Sequence, residues 1–150
     1  KEIISRGKVP IVEGGSPKYF KDLYVKNISV KLFDPMVYLT YPKLVDIERK
    51  ILNRIERTIQ LGLIEEIKTN LNKYRNTQFM KEGKFVVPII NYLDGIIDLN
   101  KAKKDMVNGA IDLIKKKKDE FSKYPDLINI ENKNPEESLC EIIKLWNRIG

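Results

Sequence analysis

The run Val9-Pro10-Ile11-Val12-Glu13-Gly14-Gly15-Ser16, followed by Pro17, constrains the fold more than any other stretch of this chain. Its apolar part predicts a short buried strand, Val9 to Val12, and its paired glycines a loop. A helix follows, because Ser16 is a good N-cap and Pro17 suits the first helical position. Strand, glycine loop and helix in succession are how α/β proteins set backbone N–H groups against a phosphate, and the helix N-terminus adds partial positive charge. Gly14 and Gly15 would allow positive φ and close approach of a ligand. A plain structural turn between strand and helix uses the same residues, so the local chemistry leaves both readings open.

With 150 residues, 42% of them hydrophobic, the chain is long enough for one domain with a core, and no linker divides it. It carries 28 Lys+Arg against 21 Asp+Glu, a formal charge of +7. That balance favours anionic partners such as RNA, nucleotides or diphosphates, although lysine-rich composition also serves solubility. The absence of histidine excludes His-based catalysis and, with one cysteine, an ordinary zinc site. A lone Cys140 cannot form an internal disulfide and fits a reducing, cytoplasmic setting. Its amphipathic surroundings predict a small core residue rather than a nucleophile. No apolar run is long enough to span a membrane. The chain begins without Met and in mid-pattern, which predicts a piece of a longer protein.

Apolar periodicity predicts a mainly α chain with a few short β-strands. Lys1 to Arg6 reads as a helix end stopped by Gly7, and Pro17 to Val25 as a short helix. Val30 to Phe33 and Met36 to Tyr41 read as extended, with a turn at Asp34-Pro35. Leu44, Ile47, Ile51, Ile55 and Ile59 mark a helix from Pro42 to about Leu61. Gly62 fits a C-cap or kink, and Leu63 to Tyr74 resumes as helix. Asn76 to Gly83 reads as a loop, and Phe85 to Tyr92 is ambiguous because Pro88 argues against a central strand. Asp98 caps a long helix ending in Lys115-Lys116-Lys117-Lys118. Leu127 to Ile130 reads as a last strand. Asn134-Pro135-Glu136-Glu137 opens a final helix.

On the first long helix Arg54 falls at the edge of the isoleucine stripe. There an arginine can lean into a cleft and grip a phosphate with its fork of donors, or simply snorkel at the surface. Glu65-Glu66 and Glu136-Glu137 are helix neighbours that face different directions and read as solvated. Glu13 beside the glycine loop and Asp34 at a turn are better placed, yet neither reads as catalytic.

Taken in order, several segments resemble the isopentenyltransferase (dimethylallyltransferase) family, which prenylates N6 of adenine in tRNA or in free nucleotides. Arg6 to Ser16, with Tyr19, is similar to its "RGK-P-I-hydrophobic-GG[TS]" segment. Arg54-Ile55-Glu56-Arg57 with Gly62-Leu63-Ile64-Glu65-Glu66-Ile67 resembles its "R-V-D…G-L-x-x-E-V" helix, and Tyr92 to Asp98 its "Y-L-E-G-x-I-S" segment. Leu113 to Lys117 sits where the tRNA branch has "Y-A-K-R-Q". The resemblance implies that Gly14, Gly15, Ser16 and Arg54 bind the diphosphate of dimethylallyl diphosphate. It also implies that Lys115 and Lys116 border the substrate channel, that Mg²⁺ assists the leaving group, and that the chain is the C-terminal part of a P-loop-type α/β fold.

The departures are specific. The family's "G-x-T-x-x-G-K-[ST]" phosphate loop and its general-base Asp have no counterpart and would belong upstream of Lys1. The tRNA branch's large insertion after the glycine loop is missing, and Lys84-Phe85-Val86-Val87-Pro88 replaces "Q-A-I-G-Y-K-E". Ser16 and Val87-Pro88 are closer to the adenylate branch, whereas Lys115 to Lys118 favours RNA. A lysine run at a helix end is also a favourable partner for the helix dipole. The leading expectation is an adenine-N6 dimethylallyltransferase with tRNA slightly ahead of free AMP, ADP or ATP as acceptor. The competing one is a non-catalytic basic module that binds RNA or a protein.

Overall fold

The computed structural model describes residues 2–30, 35–41 and 44–149. In chain order they form α1 (Glu2–Ser5), α2 (Pro17–Val30), β1 (Val37–Thr40), α3 (Leu44–Gln60), α4 (Leu63–Tyr74), α5 (Gln78–Glu82), α6 (Val86–Leu93), α7 (Leu99–Phe121), β2 (Ile128–Glu131) and α8 (Pro135–Ile149). The chain is mainly helical with one small sheet, as the apolar periodicity implies. β1 and β2 pair in parallel, Val37 opposite Ile128 and Thr40 opposite Glu131. The ladder is extended by Ile128 N–H to the Met36 carbonyl and Asn132 N–H to the Thr40 carbonyl, both at 2.9 Å.

The local chemistry of the helix ends is what the residues dictate. Gly62 sits at φ 103° between α3 and α4, a left-handed turn that glycine adopts without a Cβ penalty. Asp98 caps α7, its Oδ1 accepting from Lys101 N–H at 2.7 Å. Asn134 caps α8 reciprocally. Its Oδ1 accepts from Glu137 N–H at 2.8 Å and its Nδ2 donates to Glu137 Oε1 at 2.6 Å.

The core lies where α3, α4, α5, α6 and α7 converge. Ile55, Ile67, Met80, Val86, Ile89, Ala102, Met106 and Val107 form one buried cluster, with Ile89 and Met106 essentially out of solvent. Gly109 lets the turn before α6 approach α7, since a Cβ there would stand 3.0 Å from Lys84 Cβ. A second, aromatic cluster joins α2 and the sheet to the end of α7. Phe20 meets Phe121 edge-on at 5.2 Å, and Tyr38 stacks on Phe121 at 4.6 Å. β1 leads into α3, so α3 starts and α7 ends near the sheet. Glu56, late in α3, pairs with Lys103, early in α7, at 3.4 Å. The two helices therefore run antiparallel.

Several expectations are corrected. Val9–Val12 is not a buried strand: it is irregular and exposed, Ile11 to 89%. A strand needs a paired neighbour to satisfy its backbone, and among the described residues this segment has none. Gly14 and Gly15 do not use positive φ, which among the described glycines is confined to Gly7, Gly62 and Gly95. Asn76–Gly83 contains α5, whose cap is Thr77: its side chain accepts from Met80 N–H at 3.4 Å. The ambiguous Phe85–Tyr92 is α6, with Pro88 in the first turn, where a missing N–H costs no helical bond. α2 continues to Val30 and α7 past its lysines to Phe121. Cys140 is exposed rather than a core residue. Residues 31–34 and 42–43, including Asp34 and Pro42, lie outside the described residues.

The core assignment sets a contrast in stability. Ile89→Ala empties a fully buried site and should cost about 2–5 kcal/mol. Phe85→Ala, at 40% exposure, should cost well under half as much. Urea unfolding followed by circular dichroism checks both.

Candidate anion-binding site

The N-terminus of α2 carries the glycine loop. Ser16 holds the cap position, its carbonyl accepting the Phe20 N–H at 3.0 Å. The first N–H groups of a helix have no intrahelical acceptors and bear partial positive charge. Against this end stands Lys117 of α7: a Cβ on Gly15 would lie 3.9 Å from Lys117 Nζ. Two segments a hundred residues apart in sequence thus put an ammonium beside a helix N-terminus. Both are positive, and a bound anion would relieve their repulsion.

Further lysines gather about Glu120, later on α7. Lys123 donates to Glu120 Oε1 at 2.8 Å. Glu120 is held below the usual carboxylate range first by that hydrogen bond and the Lys123 charge, then by the fields of Lys116 and Lys21. Lys21 on α2 and Lys116 on α7 therefore both act on Glu120, beside which Asp119 also acts on Lys123. Lys115, Lys116 and Lys118 are exposed and Lys117 half-buried. None of these four forms an ion pair among the described residues.

The aromatic cluster fixes the geometry. Tyr24 and Tyr124 meet at 4.5 Å, and Tyr24 Oη donates to Asp126 Oδ2 at 2.8 Å. This bond ties α2 to the segment leading into β2. The Tyr38 hydroxyl is buried with no hydrogen-bond partner among the described residues. Burial pushes its pKa up.

Of the residues singled out from the sequence, Gly14, Gly15 and Ser16 are near the lysine run that contains Lys115 and Lys116. Arg54 is not with them. It is exposed on α3, one half-turn from Glu56, and makes no ion pair among the described residues. Because Glu56 marks the level of Lys103, Arg54 and Lys117 are separated by on the order of 20 Å along α7 at 1.5 Å per residue. Among the described residues no three His, Cys, Asp or Glu side chains come together as a metal site. Glu120 is already engaged by Lys123. These residues do not assemble a Mg²⁺ site. Glu65, Glu66 and Glu136 are exposed, and Glu137 serves the α8 cap.

Lys117, Lys21 and Lys123 were missed as site residues. Lys117 had a signal: it precedes buried Phe121 by four residues, so the two share a side of α7. Lys21 and Lys123 had none, because only packing brings α2 to α7. No protein-family model matches this chain, and no curated protein sequence matches it significantly.

The Tyr24–Asp126 contact has a testable pH signature. The phenol pKa is raised, first by its hydrogen bond to Asp126 and then by desolvation and the carboxylate charge. A raised folded-state pKa means that the folded protein holds the proton longer than the unfolded chain. The stabilisation is complete below about pH 10 and is lost as pH rises through the folded value. The thermal midpoint should therefore fall above pH 10, and Tyr24→Phe should flatten that fall while lowering the midpoint at pH 7.

Proposed function

We propose that this chain is the substrate-channel part of an adenine-N6 dimethylallyltransferase, acting on tRNA or, as the alternative acceptor, on free adenine nucleotide. The observation that carries the reading is the approach of Gly15 to Lys117. The resemblance assigns the glycine loop and the lysine run to the substrate separately, from segments at opposite ends of the chain, and folding places them side by side. The short parallel pair supports the finer fold assignment. Purely parallel sheets occur almost only within larger α/β assemblies covered on both faces. In this reading β1 and β2 border a P-loop-type sheet.

In the reaction the exocyclic N6 of adenine attacks the allylic carbon of dimethylallyl diphosphate. The carbon–oxygen bond breaks, its electron pair leaves with the diphosphate, and N6 gives up a proton. This chain's part is to hold negative charge. Lys117 and the α2 N-terminus face the phosphates, and Lys116 and Lys21 raise the local potential. The group that takes the N6 proton is not among the residues matched here.

Arg54 favours a second reading. Exposed and remote from the glycine loop, it fits a basic module that binds RNA without catalysis. The gene product isolated from its source cells separates the two. Its intact mass is measured against 17.5 kDa, then isotope-labelled dimethylallyl diphosphate is offered with tRNA or AMP. The enzyme reading expects transfer to one acceptor. Lys117→Gln should lower kcat/KM about tenfold, the equivalent of 1.4 kcal/mol. Absence of transfer to both acceptors, with salt-sensitive RNA binding retained, would overturn the enzyme reading in favour of the module.

A further inference from the structure

We propose that the groove between α4, α5 and the start of α6 binds a small aromatic molecule that carries an ammonium group. The groove is an open cavity of about 510 Å³, within the size range of small-molecule pockets. At helical spacing Leu63, Glu66, Ile67, Asn70 and Tyr74 share the face of α4 that forms one wall. Ile67, Met80 and Val86 are buried and give an apolar floor. The rings of Tyr74 and Phe79, 40% and 67% exposed, stand at the edge. An aromatic body suits that floor and those two rings.

The polar groups in the lining select the charge of the ligand. Among the described residues Glu66 is the one charged side chain that lines the groove, and it makes no ion pair among them. Asn70 Nδ2 donates to the Glu66 carbonyl at 2.9 Å, which leaves its Oδ1 as an acceptor. Thr77 Oγ1 donates to the Tyr74 carbonyl at 2.8 Å, so its own hydrogen is committed. Glu66, Asn70 and Thr77 thus offer acceptors only, and the Tyr74 hydroxyl can accept as well as donate. A ligand with donors and a positive charge meets all four. Aromatic faces at the edge also attract a cation. Lys73 Nζ already lies 5.1 Å from the centre of the Tyr74 ring, although Lys73 does not line the groove. An anion meets the Glu66 charge with no lining cation to offset it. The groove and the glycine loop therefore suit ligands of opposite sign, and this inference stands apart from the transferase reading.

Amide NMR of the 150-residue chain, titrated with three indoles, tests this. Tryptamine carries an ammonium, tryptophol a hydroxyl in its place, and indole-3-propionate a carboxylate. Tryptamine should shift amides of residues 63–86 and saturate with a Kd on the order of 1 mM, as a ligand of this size allows. Tryptophol should bind about fivefold more weakly, and indole-3-propionate more weakly again. The chain as a whole carries +7, so its long-range field favours the carboxylate. A preference for the ammonium therefore reports the groove itself. Glu66→Gln, at an exposed position, should bring tryptamine down to the affinity of tryptophol and leave tryptophol unchanged. Phe79→Ala should weaken both. Three findings would each refute the proposal: no saturable shift up to about ten times that Kd, shifts gathered outside α4 to α6, or a tryptamine preference that persists in Glu66→Gln.

Discussion

Helix α7 must satisfy different partners along its length, and the rest of the fold is arranged around that demand. Its first half presents Ala102, Met106 and Val107 to α3 and α6, in the main cluster of buried side chains. Its last turn offers Phe121 to α2 and β1. Packing density in such an interior leaves little room for a helix to shift without opening voids. The position of Ile89 against α7 therefore also fixes where Lys117 stands. The candidate site is a by-product of the core.

That coupling explains why the site residues divide as they do. Lys117 and Phe121 are four residues apart on one helix, and Phe20 lies four residues beyond Ser16. The Phe20–Phe121 contact at 5.2 Å brings both partners of the candidate site with it. Arg54 belongs to a different contact, one that places α3 against the opposite half of α7. No side-chain rotation closes a gap of about 20 Å, because a fully extended arginine reaches only about a third as far. Any diphosphate bound at the glycine loop must rely on lysines and backbone N–H groups.

Much of the architecture was legible in the residues because it rests on local chemistry. Asp98 and Asn134 form caps wherever they precede a helical pattern. Gly62 breaks α3 from α4 because the turn needs positive φ. β1 falls within a stretch that read as extended, and β2 overlaps the other but runs one residue further, to Glu131. The misreadings share one cause: they needed knowledge of a neighbour. Val9–Val12 has the composition of a strand but no strand beside it. Asn76–Gly83 looked polar enough for a loop, yet Met80 drives one face of α5 into the core. Pro88 argued only against a strand, and its tolerance in a helix depends on the start at Val86. Cys140 borders an apolar stripe that points outward. In the candidate site, the glycines and the lysine run could be named but their approach could not. It depends on aromatic contacts between elements a hundred residues apart.

The electrostatics of this region carry the argument one step further. A lysine run near the C-terminal end of α7 is stabilised by the carbonyl end of its own dipole. That accounts for Lys118, in the last turn, without any ligand. It does not account for Lys117, which is half-buried and faces the positive end of another helix. Interactions over such short distances at a partly buried site are screened less than those between fully exposed charges. The unfavourable pairing is tolerated because Phe20, Phe121 and Tyr24 hold α2 and α7 together independently of it. On the proposed reading, an anion held between Lys117 and the α2 N-terminus would remove that repulsion.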